Sequence, residues 1–450
     1  MRLEQNALGL LHAVVMGVAG TAPSFSIAAS ASILIAASGR FAPAIVLYCG
    51  LTMLGIALAF SRFNRDDPNA GASFIWVSRI FGPTMGFLAG WSVLATSVLF
   101  MASATLPAAS ATLLLIAPRF EHDQTVLTLV ALAWLLAVSA VTLRGTAVTA
   151  RIQSAMIILE FAVLAVIGTA SLLQLGPEAA RQFDWTSFSL AGLDTDGFVS
   201  GAVISLFLFW GWDISLNLAE ETRNGQRASG LGAVLAMLLL IVIFTAFHAV
   251  ALVALDEARI AAAGTNLIFV VADTLFPRPW SLLAIVVVML STVGALATTT
   301  LGFSRTLFAK SRHGVLHPRW QALHPRWHTP HQATLLFAAL GAALLLASLA
   351  IDNVAEVLKI AVTAVGLQAA FYYSLTGYAC AWAHRKASHG SLLELLLTVI
   401  WPAASATALL AAAVLLARDF DALTTGIGIG TILAGLVPML WQRHKAPARQ

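Results

Sequence analysis

The stretch FLFWGWDISLNLAEETRN, residues 207–224, decides the fold. It ends an apolar run long enough to cross a membrane, yet Gly211 stands between two tryptophans and Asp213 follows where hydrocarbon would be expected. The interior of a bilayer holds no water to satisfy free backbone groups, so an interrupted helix survives only where protein or a water-filled cavity supplies partners. The stretch therefore predicts a membrane helix that is broken at a polar site.

The composition agrees with a chain that lies largely in lipid. Of the 450 residues, 59% are hydrophobic and only 10% are charged, against roughly 25% charged residues in a soluble domain. The net charge of +4 comes from single basic residues between apolar runs, a pattern of membrane topology and not of nucleic-acid binding. Cys49 and Cys380 lie in apolar runs without metal-type spacing and are interpreted as small core residues. We predict an all-α integral membrane protein whose partners are lipid and a small molecule.

About twelve stretches reach the roughly 20 apolar residues that a bilayer core requires. They are residues 8–38, 42–61, 84–116, 126–143, 150–174, 197–219, 230–255, 281–309, 332–351, 354–383, 393–416 and 420–441. The first, third and tenth exceed the thickness of a bilayer, so each should be tilted or interrupted.

The basic residues orient these spans. With the N-terminus inside, eighteen of the 25 Lys and Arg residues fall on the cytoplasmic side and six fall outside, while Lys359 lies within a span. Cytoplasmic loops carry an excess of Lys and Arg. We therefore predict a multi-pass protein of the plasma (inner) membrane with both termini in the cytoplasm.

The first span carries a second interruption, with Gly17, Gly20 and Pro23 at mid-helix. Proline removes an amide donor and clashes with the preceding turn, and glycine eases irregular backbone. Spans one and six correspond if spans one to five and six to ten are two repeats, and an odd repeat length makes the halves inverted. Secondary transporters have this pattern, with a substrate site near the midplane. The alternative is that the glycines serve only close helix packing.

This pattern predicts three regions and a fold with discontinuous helices one and six. Residues 1–180 form the first five-helix repeat, residues 181–384 the second and inverted repeat, and residues 385–450 two additional C-terminal helices with a cytoplasmic tail. A monomer or a homodimer is expected.

The helix directions predict which groups face the substrate. The outer half of span one begins near Pro23, so its free amides would face a carboxylate, whereas the carbonyls at the end of the outer half of span six would accept an ammonium. An amino acid or amine fits both surfaces. The two tryptophans are aromatic lids or, alternatively, mark a membrane interface. The predicted substrate-binding residues are Gly17, Gly20, Thr21, Ala22, Pro23, Ser24, Phe209, Trp210, Gly211, Trp212 and Asp213.

Four stretches resemble the amino acid–polyamine–organocation transporter superfamily, which shares the leucine-transporter fold. They are GVAGTAPSFSIAAS (17–30), PNAGASFIWVSRIFGPTMGFLAGW (68–91), FWGWDISLNLAEETRN (209–224) and TTTLGFSRTLFAKSRHGVLHP (298–318). The resemblance implies an amino acid permease that works as a secondary transporter. Two departures stand out. Gly-Thr-Ala-Pro-Ser-Phe replaces the commoner Gly-Ser/Ala-Gly-Ile-Phe run, and Glu160 stands where many members have a lysine in span five.

Ionisable residues at membrane depth are costly and therefore candidates for function. Asp213 either binds an ammonium or a proton, or caps the inner half of span six with help from Ser215. Glu160 either couples transport to a proton, because a desolvated carboxylate can gain and lose one as access alternates, or makes a static hydrogen bond to span one. Structural roles are expected for His248 and Lys359.

Two acidic residues at the cytoplasmic end of span six, Glu220 and Glu221, are predicted to form an inner gate. Their expected partners are Arg223 or the loop that carries Arg144 and Arg151. In span eight, four hydroxyl groups either complete a sodium site or bond back to their own helix. These are Ser291, Thr292, Thr298 and Thr299.

The cytoplasmic loop at 311–331 repeats Leu-His-Pro-Arg-Trp at 316–320 and 323–327. Its histidines are either a metal tract or, as we favour, part of a cationic loop whose prolines end short turns, because no cysteine or carboxylate completes a ligand set. The histidines are His317, His324, His328 and His331.

The predicted function is secondary active transport of an amino acid or amine by proton symport or exchange. A sodium-coupled amino acid symporter and a polyamine or cationic-amine exchanger are the alternatives. An enzyme would need convergent nucleophile, base or metal ligands at depth, and a channel would need rings of polar residues. Neither pattern occurs, so no enzyme activity, resident metal or cofactor is expected.

Overall fold

The computed structural model describes residues 3–120, 123–174, 184–350, 354–386, 391–418, 420 and 422–445. Within these ranges all regular structure is helical, apart from an isolated parallel bridge between Leu8 and Thr222. The α-helices are α1 Leu10–Thr21, α2 Pro23–Ser38, α3 Ala42–Asp66, α4 Ser73–Ile116, α5 Gln124–Leu143, α6 Thr146–Gln174, α7 Thr195–Leu208, α8 Ile214–Asn217, α9 Gly225–Ala254, α10 Glu257–Ala263, α11 Leu267–Leu275, α12 Leu283–Arg312, α13 His331–Ala347, α14 Val354–His384, α15 Leu392–Leu395, α16 Trp401–Ala417, α17 Ala422–Thr425, α18 Thr431–Ala434 and α19 Leu436–Lys445.

The helices confirm the prediction of an all-α membrane protein. Nine helical stretches of the described residues are long and apolar enough to cross a membrane. Their outer faces carry large apolar side chains that water would disfavour and hydrocarbon accommodates; Leu129, Leu136, Ile158 and Val242 are each at least 60% exposed. In the part of the chain that the structure describes, the predicted stretches fall on helix, the sixth with an interruption at 209–213. Helix α4 begins eleven residues before the predicted third span, and the total of twelve spans stays a prediction.

The three long spans differ in whether and where their helices are interrupted. The first span is divided between α1 and α2 at Ala22. The helix that contains the third span has non-helical backbone at Gly82, with φ 86° and ψ 167°, directly before Pro83. The tenth span, α14, is one continuous helix of 31 residues.

The long helices pack in pairs around the two broken spans. Helix α3 lies along α9, α4 lies along α12 and α14, and α5 lies along α13. Small residues permit the close approach. A Cβ on Gly230 of α9, for example, would lie 2.6 Å from the Oγ of Ser61 on α3. Spans two and seven, three and eight, and four and nine are thereby neighbours.

The bridge between Leu8 and Thr222 ties the start of the chain to the inner end of span six. The amide of Leu8 donates to the carbonyl of Glu221 at 3.2 Å, and the amide of Arg223 donates to the carbonyl of Leu8 at 2.8 Å. Leu8 is itself 2% exposed. The segment before α1 is therefore part of the packed inner end of the bundle.

Some predictions fall outside the described residues. The boundary between the two repeats at 180/181 is one, and the end of the tail at 446–450 is another. The side chain of Lys359 and the basic residues Arg2 and Arg181 also lie outside them.

Candidate functional site

The first break lies between α1 and α2. Ala22 adopts the left-handed conformation, with φ 50° and ψ 73°, and Pro23 is the first residue of α2. The amide of Ala22 still donates to the carbonyl of Val18, and that of Ser26 donates to the carbonyl of Ala22. Proline has no amide hydrogen. The amides of Ser24 and Phe25 are therefore left to find partners outside the helix.

Those two amides are taken by side chains from other spans. The amide of Ser24 donates to Oε1 of Glu160 on α6 at 2.7 Å, and the amide of Phe25 donates to Oγ of Ser291 on α12 at 3.4 Å. Glu160 is 1% exposed. The hydrogen bond from span one that was the alternative to proton coupling is thus present. Neither Oε2 of Glu160 nor Oγ of Ser24 has a hydrogen-bond partner among the described residues.

The second break lies between α7 and α8. Helix α7 ends at Leu208, residues 209–213 form a turn, and α8 resumes at Ile214. Gly211 has φ +109°, a conformation that residues with a Cβ rarely adopt. The first helical half of span six thus ends at Leu208, next to the predicted Phe209 and Trp210.

Asp213 is held by two tyrosines from α14. Its Oδ1 accepts from the hydroxyl of Tyr373 at 2.8 Å and its Oδ2 from the hydroxyl of Tyr372 at 3.1 Å. The indole Nε1 of Trp210 donates to the same Tyr372 oxygen at 2.9 Å. The side chain of Asp213 makes no capping hydrogen bond to α8, so the capping interpretation is wrong. The tyrosines were missed, although they are adjacent and the chain has only four.

The two breaks touch through their main chains. A Cβ on Gly20 would lie 2.3 Å from the carbonyl oxygen of Gly211, and a Cβ on Gly211 would lie 2.2 Å from that of Gly20. A Cβ on Gly17 would meet the Cβ of Ala236 at 2.9 Å. Protein therefore fills the space beside Gly17 and Gly20, two of the residues predicted to bind substrate.

The structure brings all the predicted substrate-binding residues to these two breaks. They lie at the end of α1 (Gly17, Gly20, Thr21), in the first break (Ala22), at the start of α2 (Pro23, Ser24) and in the second break (Phe209, Trp210, Gly211, Trp212, Asp213).

The tryptophans of the second break are buried among aromatic rings. Trp212 stacks on Tyr373 with a centroid distance of 5.4 Å and meets Phe60 edge-on at 5.3 Å. The Trp210 ring lies 4.8 Å from that of Phe100. Both indoles are at most 4% exposed, so the alternative that they mark an interface is wrong. Nε1 of Trp212 has no partner among the described residues.

A buried ion pair lies at the C-terminal end of span six. Arg305 donates from Nε to Oε2 of Glu221 at 2.9 Å and from Nη2 to Oε1 at 3.0 Å. The hydroxyl of Thr146 donates to Glu221 and accepts from Nη2 of Arg305 at 2.7 Å. Both charged side chains are 0% exposed. The hydrogen bonds offset the cost of taking two charges out of water.

A second pair lies nearer the surface. Both guanidinium nitrogens of Arg312 donate to Glu220, at 2.7 and 2.6 Å, and the amide of Ala70 donates to the same carboxylate at 2.9 Å. Burial disfavours the ionised carboxylate. The hydrogen bonds from Arg312 and Ala70 and the charge of Arg312 outweigh it and lower the pKa of Glu220.

The predicted partners of this acidic pair are wrong. Neither Arg223 nor the loop of Arg144 and Arg151 supplies the guanidinium groups. Both come from Arg305 and Arg312, two turns apart on α12. The acidic residues therefore join span six to span eight.

The remaining candidates differ in their contacts. The hydroxyls of Thr292 and Thr298 donate to carbonyls of their own helix, the alternative to a sodium site, whereas Oγ1 of Thr299 has no hydrogen-bond partner among the described residues. Nδ1 of His248 hydrogen-bonds to the carbonyl of Phe244 at 2.7 Å, as expected for a structural role. Cys380 is buried and Cys49 is half-buried.

Each Leu-His-Pro-Arg-Trp repeat of the loop at 311–331 begins a turn at its histidine. Nδ1 of His317 accepts from the amide of Arg319 at 3.2 Å, and Nδ1 of His324 accepts from the amide of Arg326 at 3.3 Å. Pro318 is the first residue of its turn, so the prediction that the prolines end short turns is wrong there. In the part of the chain that the structure describes, no group of three or more His, Cys, Asp or Glu is placed to hold a metal ion.

Comparison with known proteins identifies a matching family and several related proteins. A family model described as amino acid permease matches residues 8–439. The chain is 25% identical over 225 residues to the low-affinity putrescine importer PlaP of Escherichia coli (strain K12), a match that covers 50% of this chain and 48% of that protein. It is 26% identical over 276 residues to the branched-chain amino acid permease BcaP of Lactococcus lactis subsp. cremoris (strain MG1363), covering 58% of each chain.

A methylthioribose transporter of Bacillus subtilis (strain 168) is 23% identical over 227 residues, which cover 47% of this chain and 48% of that protein. These matches thus span about half the length of the curated relatives.

The contact between the breaks makes Gly211→Ala disruptive. The new Cβ would strain a positive φ and overlap the carbonyl of Gly20, and overpacking of this kind costs roughly 1–3 kcal/mol or more. We expect a lower melting temperature of the purified protein in detergent. The matched control is Gly366→Ala, where a Cβ meets nothing within 4 Å. A Gly211→Ala protein as stable as this control would contradict the contact.

The buried pair predicts a contrast between two arginines. Arg305→Met leaves the Glu221 carboxylate buried and unpaired, which costs roughly 3–5 kcal/mol. Arg312→Met removes a partly exposed pair, worth roughly 0–1 kcal/mol. Thermal unfolding should separate the two variants, and Glu221→Leu combined with Arg305→Met should recover most of the loss. Equal losses for both single variants would contradict the assignment.

Proposed function

The chain belongs to the amino acid permease family, and from that membership we propose that it is a secondary active transporter that moves an amino acid or amine by alternating access. The family and the relatives are permeases and transporters, not enzymes. The observation that carries the proposal is the contact of two interrupted helices at Gly20 and Gly211, beside buried Asp213. Discontinuous helices that meet inside a bundle are the usual place for a transporter's substrate.

The repeat organisation follows from the same contact. We propose two inverted five-helix repeats, residues 1–180 and 181–384, followed by two additional helices in residues 385–450. The pairing of spans two with seven, three with eight, and four with nine supports this division, because corresponding spans of two related halves are expected to meet around a common axis. The broken spans one and six form a fourth such pair.

The substrate's amino group is assigned to Asp213. This carboxylate is 5% exposed, and no Lys, Arg or His among the described residues lies within ion-pair distance of it. A buried carboxylate needs a positive partner or a proton. The stacked rings of Trp212 and Tyr373 add an aromatic wall that favours an ammonium group.

Glu160 is the proposed site of the coupling proton. Its Oε1 is committed to the amide of Ser24, while its buried Oε2 has no protein partner among the described residues and is free to carry a proton. Proton symport or exchange is preferred over sodium coupling, because Glu160 places an ionisable group directly at the first break.

The inner gate is proposed at the pairs Glu221–Arg305 and Glu220–Arg312, which fasten span six to span eight on the side assigned to the cytoplasm. Release of substrate to that side requires these groups to separate or to move together. The plasma membrane, with both termini in the cytoplasm, is the proposed location, and the protein is expected to act as a monomer or homodimer.

Removing the charge of Asp213 tests the binding site. Asp213→Asn keeps the volume but places an amide against two tyrosine donors, so we expect uptake or binding to weaken at least tenfold in reconstituted vesicles. Asp196→Asn, the same change at an exposed position of α7, serves as the control. Unchanged kinetics in Asp213→Asn would remove this residue from the site.

Removing the ionisable group of Glu160 tests coupling. Glu160→Gln keeps an oxygen that accepts from the Ser24 amide but does not titrate, so binding should persist while an imposed pH gradient no longer drives accumulation. The measurement is uptake into vesicles with and without the gradient, beside wild-type protein. Continued accumulation driven by the gradient would exclude Glu160 as the coupling site.

A further inference from the structure

The contacts of Glu160 bear on which substrates the site accepts. Resting on the transport function proposed above, we infer that Glu160 determines substrate specificity. Its carboxylate accepts the hydrogen bond of the Ser24 amide, which would otherwise bind a substrate carboxylate. The site therefore selects amines that lack a carboxylate group. Glu160 lies on span five, and its carboxylate reaches across to the backbone of span one.

The donors of the first break are already committed. Four amides surround the break. Those of Ala22 and Ser26 bond within the main chain, that of Ser24 donates to Glu160, and that of Phe25 donates to Ser291. The amide that meets Glu160 does so at 2.7 Å, the distance of a strong, charge-assisted hydrogen bond. A substrate carboxylate would have to displace Glu160 to reach it.

The hydroxyl groups at the break offer few further hydrogen-bond donors to a substrate carboxylate. The hydroxyl of Ser26 donates to the carbonyl of Thr21 at 2.6 Å, and that of Thr21 donates to the carbonyl of Gly17 at 3.3 Å. Among the described residues at the two breaks, the hydroxyl of Ser24 and the indole Nε1 of Trp212 are buried donors without a hydrogen-bond partner. Both are neutral, and Trp212 directly precedes Asp213. They do not balance the charge of another carboxylate.

The charges of the site point the same way. Asp213 and Glu160 are each at most 5% exposed. Within the described residues the ion pairs engage other carboxylates, so neither of these two has a basic partner. A carboxylate brought in with an α-amino acid would face Asp213, and also Glu160 whenever Glu160 is without its proton, so it would add repulsion in a region of low dielectric. An amine without a carboxylate adds only the positive charge that the site lacks.

Matched pairs of compounds test this inference in the wild-type protein. Cadaverine and lysine differ only by the α-carboxylate, and so do 3-methylbutylamine and leucine. In proteoliposomes we expect the amine of each pair to be taken up with at least tenfold higher kcat/KM than its amino acid. The same order should appear in thermal stabilisation of the purified protein, since a ligand stabilises the state it binds.

Variants of Glu160 then assign the preference to its side chain. Glu160→Ala empties the position and frees the Ser24 amide, so the ratio of amine to amino acid should fall at least tenfold and lysine should stabilise this variant more than cadaverine does. Glu160→Gln still accepts from that amide and should keep the amine ahead. Glu257→Gln, at an exposed carboxylate, should leave the ratio unchanged.

The outcomes separate the two proposals. Wild-type protein that prefers lysine and leucine over their amines would overturn the inference and leave the transport function standing. An amine preference that survives unchanged in Glu160→Ala would also overturn it, because another group would then exclude the carboxylate. If none of the four compounds is bound or carried, the transport function proposed for this site fails, and the inference falls with it.

Discussion

The structure depends on one constraint, that backbone groups freed inside a membrane must find partners in the protein. Both broken spans meet it in the same way. At the first break the free amides of Ser24 and Phe25 are taken by side chains of spans five and eight, and at the second the amide of Gly211 lies 3.4 Å from the hydroxyl of Tyr373. Each break is thereby tied to a distant span, and the two close on each other through glycines without side chains. The surrounding bundle follows from the need to enclose these links.

Much of this architecture can be predicted from the sequence, because the decisive residues act on their own backbone. Pro23 lacks an amide hydrogen and must begin a helix, and Gly211 permits a positive φ. Apolar run lengths then place the spans. Such effects are local, so a single sequence contains them.

Partners are harder to predict, because they are brought together only by the packed fold. Tyr372 and Tyr373 lie 159 and 160 residues from Asp213, and Arg305 lies 84 residues from Glu221. Nothing in the residues near a carboxylate distinguishes these from nearer candidates such as Arg223. The inner ion pairs were assigned to the wrong arginines for this reason, whereas the location of the acidic residues at the end of span six was right.

The bridge at Leu8 has a mechanical consequence. Two main-chain hydrogen bonds join Leu8, two residues before α1, to Glu221 and Arg223 at the end of span six. Glu221 is in turn locked to Arg305. The start of span one and the end of span six are therefore joined. A movement of one that keeps these hydrogen bonds also moves the other. In the alternating-access movement proposed above, these two ends would then turn together about the point where Gly20 and Gly211 touch.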